Sequence, residues 1–332
     1  MPKICLNMIV KNEEKIIERM LESVYKIIDY FVICDTGSTD NTIEIIKNFF
    51  LKHRNIKGVV MKKTFENFEY NRNHALKFCE GFGDYILLLD ADHILNYKES
   101  FLKKIKELNK DCYSIIQSTQ NIDYQNIRLI KNHYKFYYKG YTHEVIMNDK
   151  VLEIEIFDES MVSINDIGDG FNKKNKLERD IMLLIKSIED FPNDIRNYFY
   201  LANTYFSLQS YDLAQGYYLI RSKKGSWKQE IFYCYYRIGL IKIIKEEYSS
   251  AIEYFWEAYE VCPERSENLY YLYKLYKCLK KENLSKLTIK ILKENKENLS
   301  KLTILKENKD KENFNFLFLD KNIIKEIQNL NF

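Results

Sequence analysis

Residues 85–92 read Tyr-Ile-Leu-Leu-Leu-Asp-Ala-Asp. Five apolar residues in a row suit a strand buried on both faces, as in a parallel sheet covered by helices. The run stops on two carboxylates, Asp90 and Asp92, with only Ala91 between them. Such a strand delivers its last residues to the carboxyl edge of the sheet, where open α/β sheets bind ligands. Two readings of D-A-D are open. It is an acidic turn at a strand end, or it is a pair of hard oxygen donors for Mg²⁺ or Mn²⁺ bridging two phosphates.

Toward the N-terminus the same alternation continues. Strands are predicted over Ile4–Val10, Tyr30–Cys34 and Ile56–Met61. Between them, helices are predicted over Glu14–Tyr25, from Thr39 as N-cap through Phe50, and over Phe68–Cys79. Strand–helix alternation implies an α/β fold with a sheet flanked by helices. Shorter β-like runs from Cys112 to about Ile164 extend it as a mixed sheet. From about Asn172 the chain reads as helical, which divides it into 1–170 and 171–332. Ala202 and Ala214 are twelve apart, as are Gly239 and Ala251. Small residues at that spacing let the two helices of a hairpin approach closely, and the flanking aromatics and Pro263 resemble a tetratricopeptide repeat. A third copy around Leu269–Ile289 is degenerate. The segment Lys281–Ile289 recurs identically as Lys296–Ile304, which points to replication slippage and to C-terminal helices far from any chemistry.

Composition narrows the function classes. The 332 residues carry 51 Lys+Arg against 48 Asp+Glu, and this near-balance argues against nucleic acid as a partner. With 10 Gly and 3 Pro, an all-β sandwich is disfavoured and helices are favoured. The seven cysteines are scattered without a C-x-x-C pair, so they read as reduced, in a cytoplasmic protein. The N-terminal apolar stretch is too short for a signal peptide, and no run of about 18 apolar residues predicts a membrane span.

Three further clusters could carry chemistry. Asp35-Thr36-Gly37-Ser38-Thr39-Asp40 follows a strand and opens a helix: Asp35 is placed to accept from a base N–H, while Ser38, Thr39 and Asp40 suit capping. Arg72-Asn73 lies on the helix before the acidic strand and reads equally as a solvated face. Thr142-His143-Glu144 sits in an aromatic-rich stretch, where the His is structural, a ligand, or half of a proton-transfer pair.

Taken in order, CLNMIVKNEE (5–14), VICDTGSTDNT (32–42), NFEYNRNHAL (67–76), YILLLDADHIL (85–95) and GYTHEV (140–145) resemble a family 2 glycosyltransferase. The resemblance covers roughly residues 3–265. It is closest to the subgroup with tetratricopeptide repeats behind the catalytic domain, which includes bacterial peptide S-glycosyltransferases.

The resemblance implies a GT-A fold: a Rossmann-like mixed sheet flanked by helices, followed by an all-α tetratricopeptide-like domain. It implies an inverting reaction that moves a sugar from a nucleotide-diphosphate donor, a UDP-sugar, to a glycan, peptide or protein acceptor. It places Val10, Asn12, Glu13 and Asp35 at the base, Arg72 and Asn73 near the nucleotide, and Asp90 with Ala91 on the ribose side. Asp92 would bind Mn²⁺ or Mg²⁺ directly, with Asp90 beside it. The subgroup's His-x-Gly-Tyr is replaced here by Asp166-Ile167-Gly168-Asp169, so Asp166 would stand in as an oxygen ligand. Glu144 is the expected base and His143 the second choice. Lys173, Lys174 and Lys176 either grip the diphosphate or form a solvated patch. A homodimer through the helical part is compatible with this reading.

Two other readings are open. A nucleotidyltransferase acting on sugar phosphates shares the sheet and the acids, but needs a Gly-rich loop that MIVKNEE lacks. A repeat-based binding scaffold on an inactive transferase domain would not need Asp35, Arg72, Asp90 and Asp92 together.

Overall fold

The computed structural model describes residues 1–119, 123–170 and 176–307, with side chains up to residue 295, and divides into two compact units, Met1–Leu183 and Leu184–Phe332. The first unit is α/β. Its first half runs β1 (Ile4–Val10), α1 (Ile17–Val24), β2 (Tyr30–Asp35), α2 (Thr42–Lys52), β3 (Lys57–Lys62), α3 (Phe68–Lys77) and β4 (Tyr85–Leu88). The second half adds β5 (His93–Tyr97), α4 (Glu99–Lys104), β6 (Cys112–Ser118), β7 (Asp123–Lys131), β8 (Tyr137–Lys139), β9 (Val145–Met147), β10 (Ile154–Ile156) and β11 (Val162–Asp166). The main sheet has the order β3-β2-β1-β4-β7-β6-β11-β5, with β10 also pairing with β6.

The strands β3, β2, β1 and β4 are mutually parallel, and β7 then joins β4 antiparallel. Parallel pairing sends the ends of β1, β2 and β4 to one edge, so Val10, Asp35 and the Asp90–Asp92 turn share it. The central strands β1 and β4 are buried almost throughout, as their largely apolar runs require, and the buried Asn7 of β1 donates its amide to the Val32 carbonyl at 3.3 Å. One core face gathers Leu6, Met8, Met20, Leu21, Ile33, Phe49, Leu87 and Phe101; the other gathers Cys5, Val32, Leu76, Ile86 and Ile130.

Three local expectations need correction. The helix after β2 begins at Thr42, not behind a Thr39 cap: Asp40 accepts the Thr42 N–H at 3.0 Å and its hydroxyl at 2.6 Å, while the Thr39 N–H is spent on Asn12. Glu14–Ile16 form a turn before α1 rather than its first helical residues. Strand β5 was not anticipated, because His93-Ile-Leu-Asn-Tyr is short and its pairing with β11 is non-local.

The second unit is helical. After α5 (Lys176–Asp190) come α6 (Ile195–Ser207), α7 (Tyr211–Ser222), α8 (Lys228–Ile244), α9 (Tyr248–Val261), α10 (Glu267–Cys278) and α11 (Glu282–Glu307). Consecutive helices pack as α6 on α7, α8 on α9 and α10 on α11. Ala202, Ala214, Gly239 and Ala251, the residues of the twelve-spacing, are all fully buried or within a core contact. At Gly239 a Cβ would lie 2.5 Å from Cε1 of Phe255, so only glycine allows α8 and α9 to close to this distance. Aromatic side chains fill the rest of the core, with Phe255 stacked on Tyr271 at 5.7 Å. No helix among the described residues is long and apolar enough to cross a membrane. The second copy of the exact repeat continues α11, with its side chains outside the described residues.

Candidate active site

The chain reverses between β4 and β5 in one tight acidic turn. The His93 N–H donates to the Asp90 carbonyl and the Asp90 N–H donates to His93 Nδ1, both at 3.1 Å. Ala91 between them is buried. Strand β11 pairs antiparallel with β5 so that Asp166 lies opposite His93. Asp92, His93 and Asp166 thereby bring ligand-type atoms within 4.8 Å of one another.

The two acids of the turn face opposite electrostatics. Burial pushes Asp90 up, but Arg72 above all, then His93 and Arg128, hold it well below the usual carboxylate range. Its Oδ1 lies 2.5 Å from Arg72 Nη2, and its Oδ2 lies 3.6 Å from His93 Nε2 and 3.7 Å from Arg128 Nη1. Asp92 is instead pushed up to about 6 by burial, then by Asp90 and Asp166. Carboxylates that repel one another at a cavity wall are what a divalent cation relieves, and their hard oxygens fit Mg²⁺ or Mn²⁺. Burial pushes His93 down, so its ring is neutral at pH 7.

Helix α3 brings the opposing charge. Asn67 caps it by accepting the Tyr70 N–H at 2.8 Å. One and a half turns on, Arg72 is wedged between two carboxylates, with Nε 2.5 Å from Glu144 Oε1, and its guanidinium lies 5.5 Å from the Tyr138 ring. Asn73 points elsewhere: its amide makes two bonds, 2.8 and 2.7 Å, to the Tyr138 backbone and fastens β8 to the helix.

Glu144 arrives on a loop held at both ends. Gly140 adopts φ +115° and its N–H donates to Glu69 at 2.6 Å; Thr142 donates to the buried Asp180 at 3.3 Å. Between them His143 takes φ +52°, an uncommon conformation for a residue with a side chain, and that side chain is exposed.

These groups line a single cavity of about 440 Å³. Val10, Lys11, Glu13 and Thr36 form one wall; Asp90, Ala91, Asp92, His93 and Asp166 form the floor. Arg72, His143 and Glu144 face in with Phe65, Phe68, Lys176, Arg179 and Asp180. The loop after β11 folds back here, since a Cβ on Gly170 would stand 3.3 Å from Glu13 and 3.7 Å from Asp92.

Of the residues singled out from sequence, Asn12, Asp35 and Asn73 do not line this cavity. Asp35 is 1% exposed and accepts the N–H groups of Gly37 and Ser38 at 3.3 and 3.1 Å. Asn12 accepts the Thr39 N–H at 2.7 Å while its own N–H donates to Ser38 at 2.9 Å. Both brace the loop that shapes the wall. Lys173 and Lys174 lie outside the described residues. The structure adds His93, Gln117, Tyr124, Arg128, Arg179 and Asp180 to the cavity wall. His93 was within reach of sequence reading as the residue next to D-A-D; the others carry no motif and meet only through the fold.

The model described as Glycosyl transferase family 2 matches residues 5–165. The chain is similar to the SPbeta prophage-derived glycosyltransferase SunS of Bacillus subtilis (strain 168), 27% identical over 157 residues, which are 44% of this chain and 35% of that protein. It is similar to chondroitin synthase of Escherichia coli, 28% identical over 191 residues, 54% of this chain and 26% of that protein. The matched stretches thus span about a third or less of those relatives. Among solved structures it is similar to S. aureus TarS 1–349, at 16% identity and TM-score 0.38, covering 72% of this chain and 80% of that one. It is also similar to MamA MSR-1, at 23% identity and TM-score 0.32, covering 38% and 71%.

Proposed function

This chain belongs to glycosyltransferase family 2 through residues 5–165, and from that premise we propose an inverting, metal-dependent transfer of a sugar from a UDP-sugar to a glycan, peptide or protein acceptor. The observation that carries the metal-dependent part is the carboxylate pair Asp92 and Asp166, close together with His93 on the floor of the cavity, with neither in an ion pair with an arginine among the described residues. A bound Mn²⁺ or Mg²⁺ would supply charge stabilisation for the departing nucleoside diphosphate.

The chain's own residues account for the other tasks. Val10 and Glu13 offer a slot for the base, with Lys11 and Thr36 beside them. Asn12 and Asp35 act by fixing the loop next to that slot. Arg72 keeps Asp90 ionised toward the ribose and fixes Glu144 in one position. Glu144, so held, takes the acceptor proton as the sugar bond forms on the opposite side from the leaving group; His143 is the second choice on the same loop. Lys176 and Arg179 lie where they add positive charge for a diphosphate. The six buried free cysteines suit a reducing compartment, and we place the protein in the cytoplasm. The helical unit, read as tetratricopeptide-like, offers a surface for the acceptor or for a second copy of the chain.

A panel of nucleotide sugars with Mn²⁺, read by thermal shift and then by calorimetry, tests this. A UDP-sugar should bind only with metal in the wild type and not at all in Asp92→Ala. Binding of equal strength with and without metal sinks the reading. Glu144→Gln should bind the donor normally yet lose transfer; undiminished transfer removes Glu144 as the base.

A further inference from the structure

By the acidic turn, the Arg128 side chain on β7 reaches Gln117 on β6, whose opposite residue in the strand pair is Tyr124. We propose that this pair is the positioning device of the metal site: Arg128 fixes which way the Gln117 amide points, and Gln117 then holds Asp166 beside Asp92 for a divalent cation. The proposal deepens the functional reading above and rests on it.

An amide side chain has nearly the same shape in either orientation, so its neighbours decide which end goes where. Arg128 carries donors only. Its Nε lies 3.1 Å and its Nη2 2.7 Å from Gln117 Oε1, and this fork turns the amide oxygen toward β7. The amide nitrogen must then face the other way, where it donates to Asp166 Oδ2 at 3.0 Å. Reversing the amide would set NH₂ against a guanidinium and a carbonyl oxygen against a carboxylate. Arg128 is itself held by Asp90 Oδ2 at 3.7 Å and by the Leu88 carbonyl at 3.5 Å, so the chain of contacts begins at the end of β4. Gln117 is 1% exposed, which removes water as a competing partner.

The same amide nitrogen lies 3.2 Å from His93 Nε2, while His93 Nδ1 already accepts from the Asp90 backbone. In the neutral ring an accepting Nδ1 leaves the hydrogen on Nε2, so neither ring nitrogen has a lone pair left for a cation. His93 serves as a strut of the turn, and the cation is left to the oxygens of Asp92 and Asp166, an all-carboxylate pair suited to Mn²⁺ or Mg²⁺ over zinc. Groups that orient ligands in this manner typically set metal affinity by about 10–100-fold.

The test uses the intact chain and Mn²⁺ alone, with free Mn²⁺ measured by electron paramagnetic resonance. Wild type, Gln117→Met, Asp166→Asn and the double variant form a cycle, and thermal melting is followed in each. Gln117→Met should weaken Mn²⁺ binding about tenfold or more. On the Asp166→Asn background the same substitution should change nothing, because the carboxylate it positions is gone. An unchanged affinity in Gln117→Met overturns the proposal. So does a loss that persists undiminished on the Asp166→Asn background, since Gln117 would then act through the fold at large. A wild type that binds no Mn²⁺ overturns the metal reading and the proposal together, which separates the two failures. If Gln117→Met does not fold, Gln117→Asn, one methylene too short to span Arg128 and Asp166, carries the same cycle.

Discussion

In the helical unit Arg221 and Glu230 are 2% and 3% exposed on their side chains and 2.7 Å apart, and Arg265 and Glu267 form a second pair as deeply buried. In the α/β unit Asp90, Asp92 and Asp166 crowd one cavity floor, and the arginines Arg72 and Arg128 lean on Asp90. Both units bury charge, yet among the described residues only the helical one closes each buried carboxylate against its own guanidinium. A closed pair fixes geometry and has nothing left to offer a ligand. An open acidic site costs stability until a cation arrives. That difference separates charge used for packing from charge held ready for chemistry.

The largest effect expected from breaking this contrast is at Arg72. Arg72→Met strands two carboxylates, so it should destabilise the chain by about 3–5 kcal/mol and lower transfer on the order of 10³-fold, checked by denaturant melts and donor-turnover assays. Arg221→Met should cost a similar stability, about 3–5 kcal/mol, while leaving Mn²⁺ affinity of the folded protein unchanged. Replacing both partners, Arg221→Met with Glu230→Leu, should recover most of that loss. A drop in Mn²⁺ affinity in either variant would blur the distinction between the units.

Gly239→Ala pushes a Cβ into Phe255 and should cost about 1–3 kcal/mol in a urea melt, with no change in donor binding. The smallest effect is a pH profile. Asp92 titrates near 6 in the fold, above its ordinary value, so the folded state binds its proton more tightly than the unfolded chain does. The stability this contributes is present below the ordinary carboxylate range and is lost as pH rises through about 6. In EDTA at pH 7.5, Asp92→Asn should therefore melt higher than wild type. Mn²⁺ should raise the wild-type melting temperature more at pH 7.5 than at pH 5, because proton and metal compete for one carboxylate. An Asp92→Asn protein that melts lower in EDTA would show that the open acid is not a cost.

Much of the frame was legible beforehand. The strands β1, β2 and β4 were read within a residue or so because their apolar runs are long and local. The small-residue positions Gly239 and Ala251 were legible because the twelve-residue spacing joins the last turns of one helix, across the connecting turn, to the first turn of the next. Strand β5 was not, since its partner β11 lies some seventy residues on and its own five residues carry no local signal. The start of α2 was misplaced because Thr39 and Asp40 both suit capping chemistry, and only the Asn12 loop decides which is free to do it.

By itself the sequence determined the α/β order, the acidic strand end and the five motifs of the family, because each is set by neighbours along the chain. Only the tertiary structure decided which acid is neutralised and which stays open. The local sequence around Asp90 and Asp92 does not set their charge environments; Arg72 from α3 and Arg128 from β7 reach one, and Asp166 from β11 presses on the other. Coulomb energy falls with distance in space, not along the chain, so that choice exists only once the sheet has brought four separate segments to one edge.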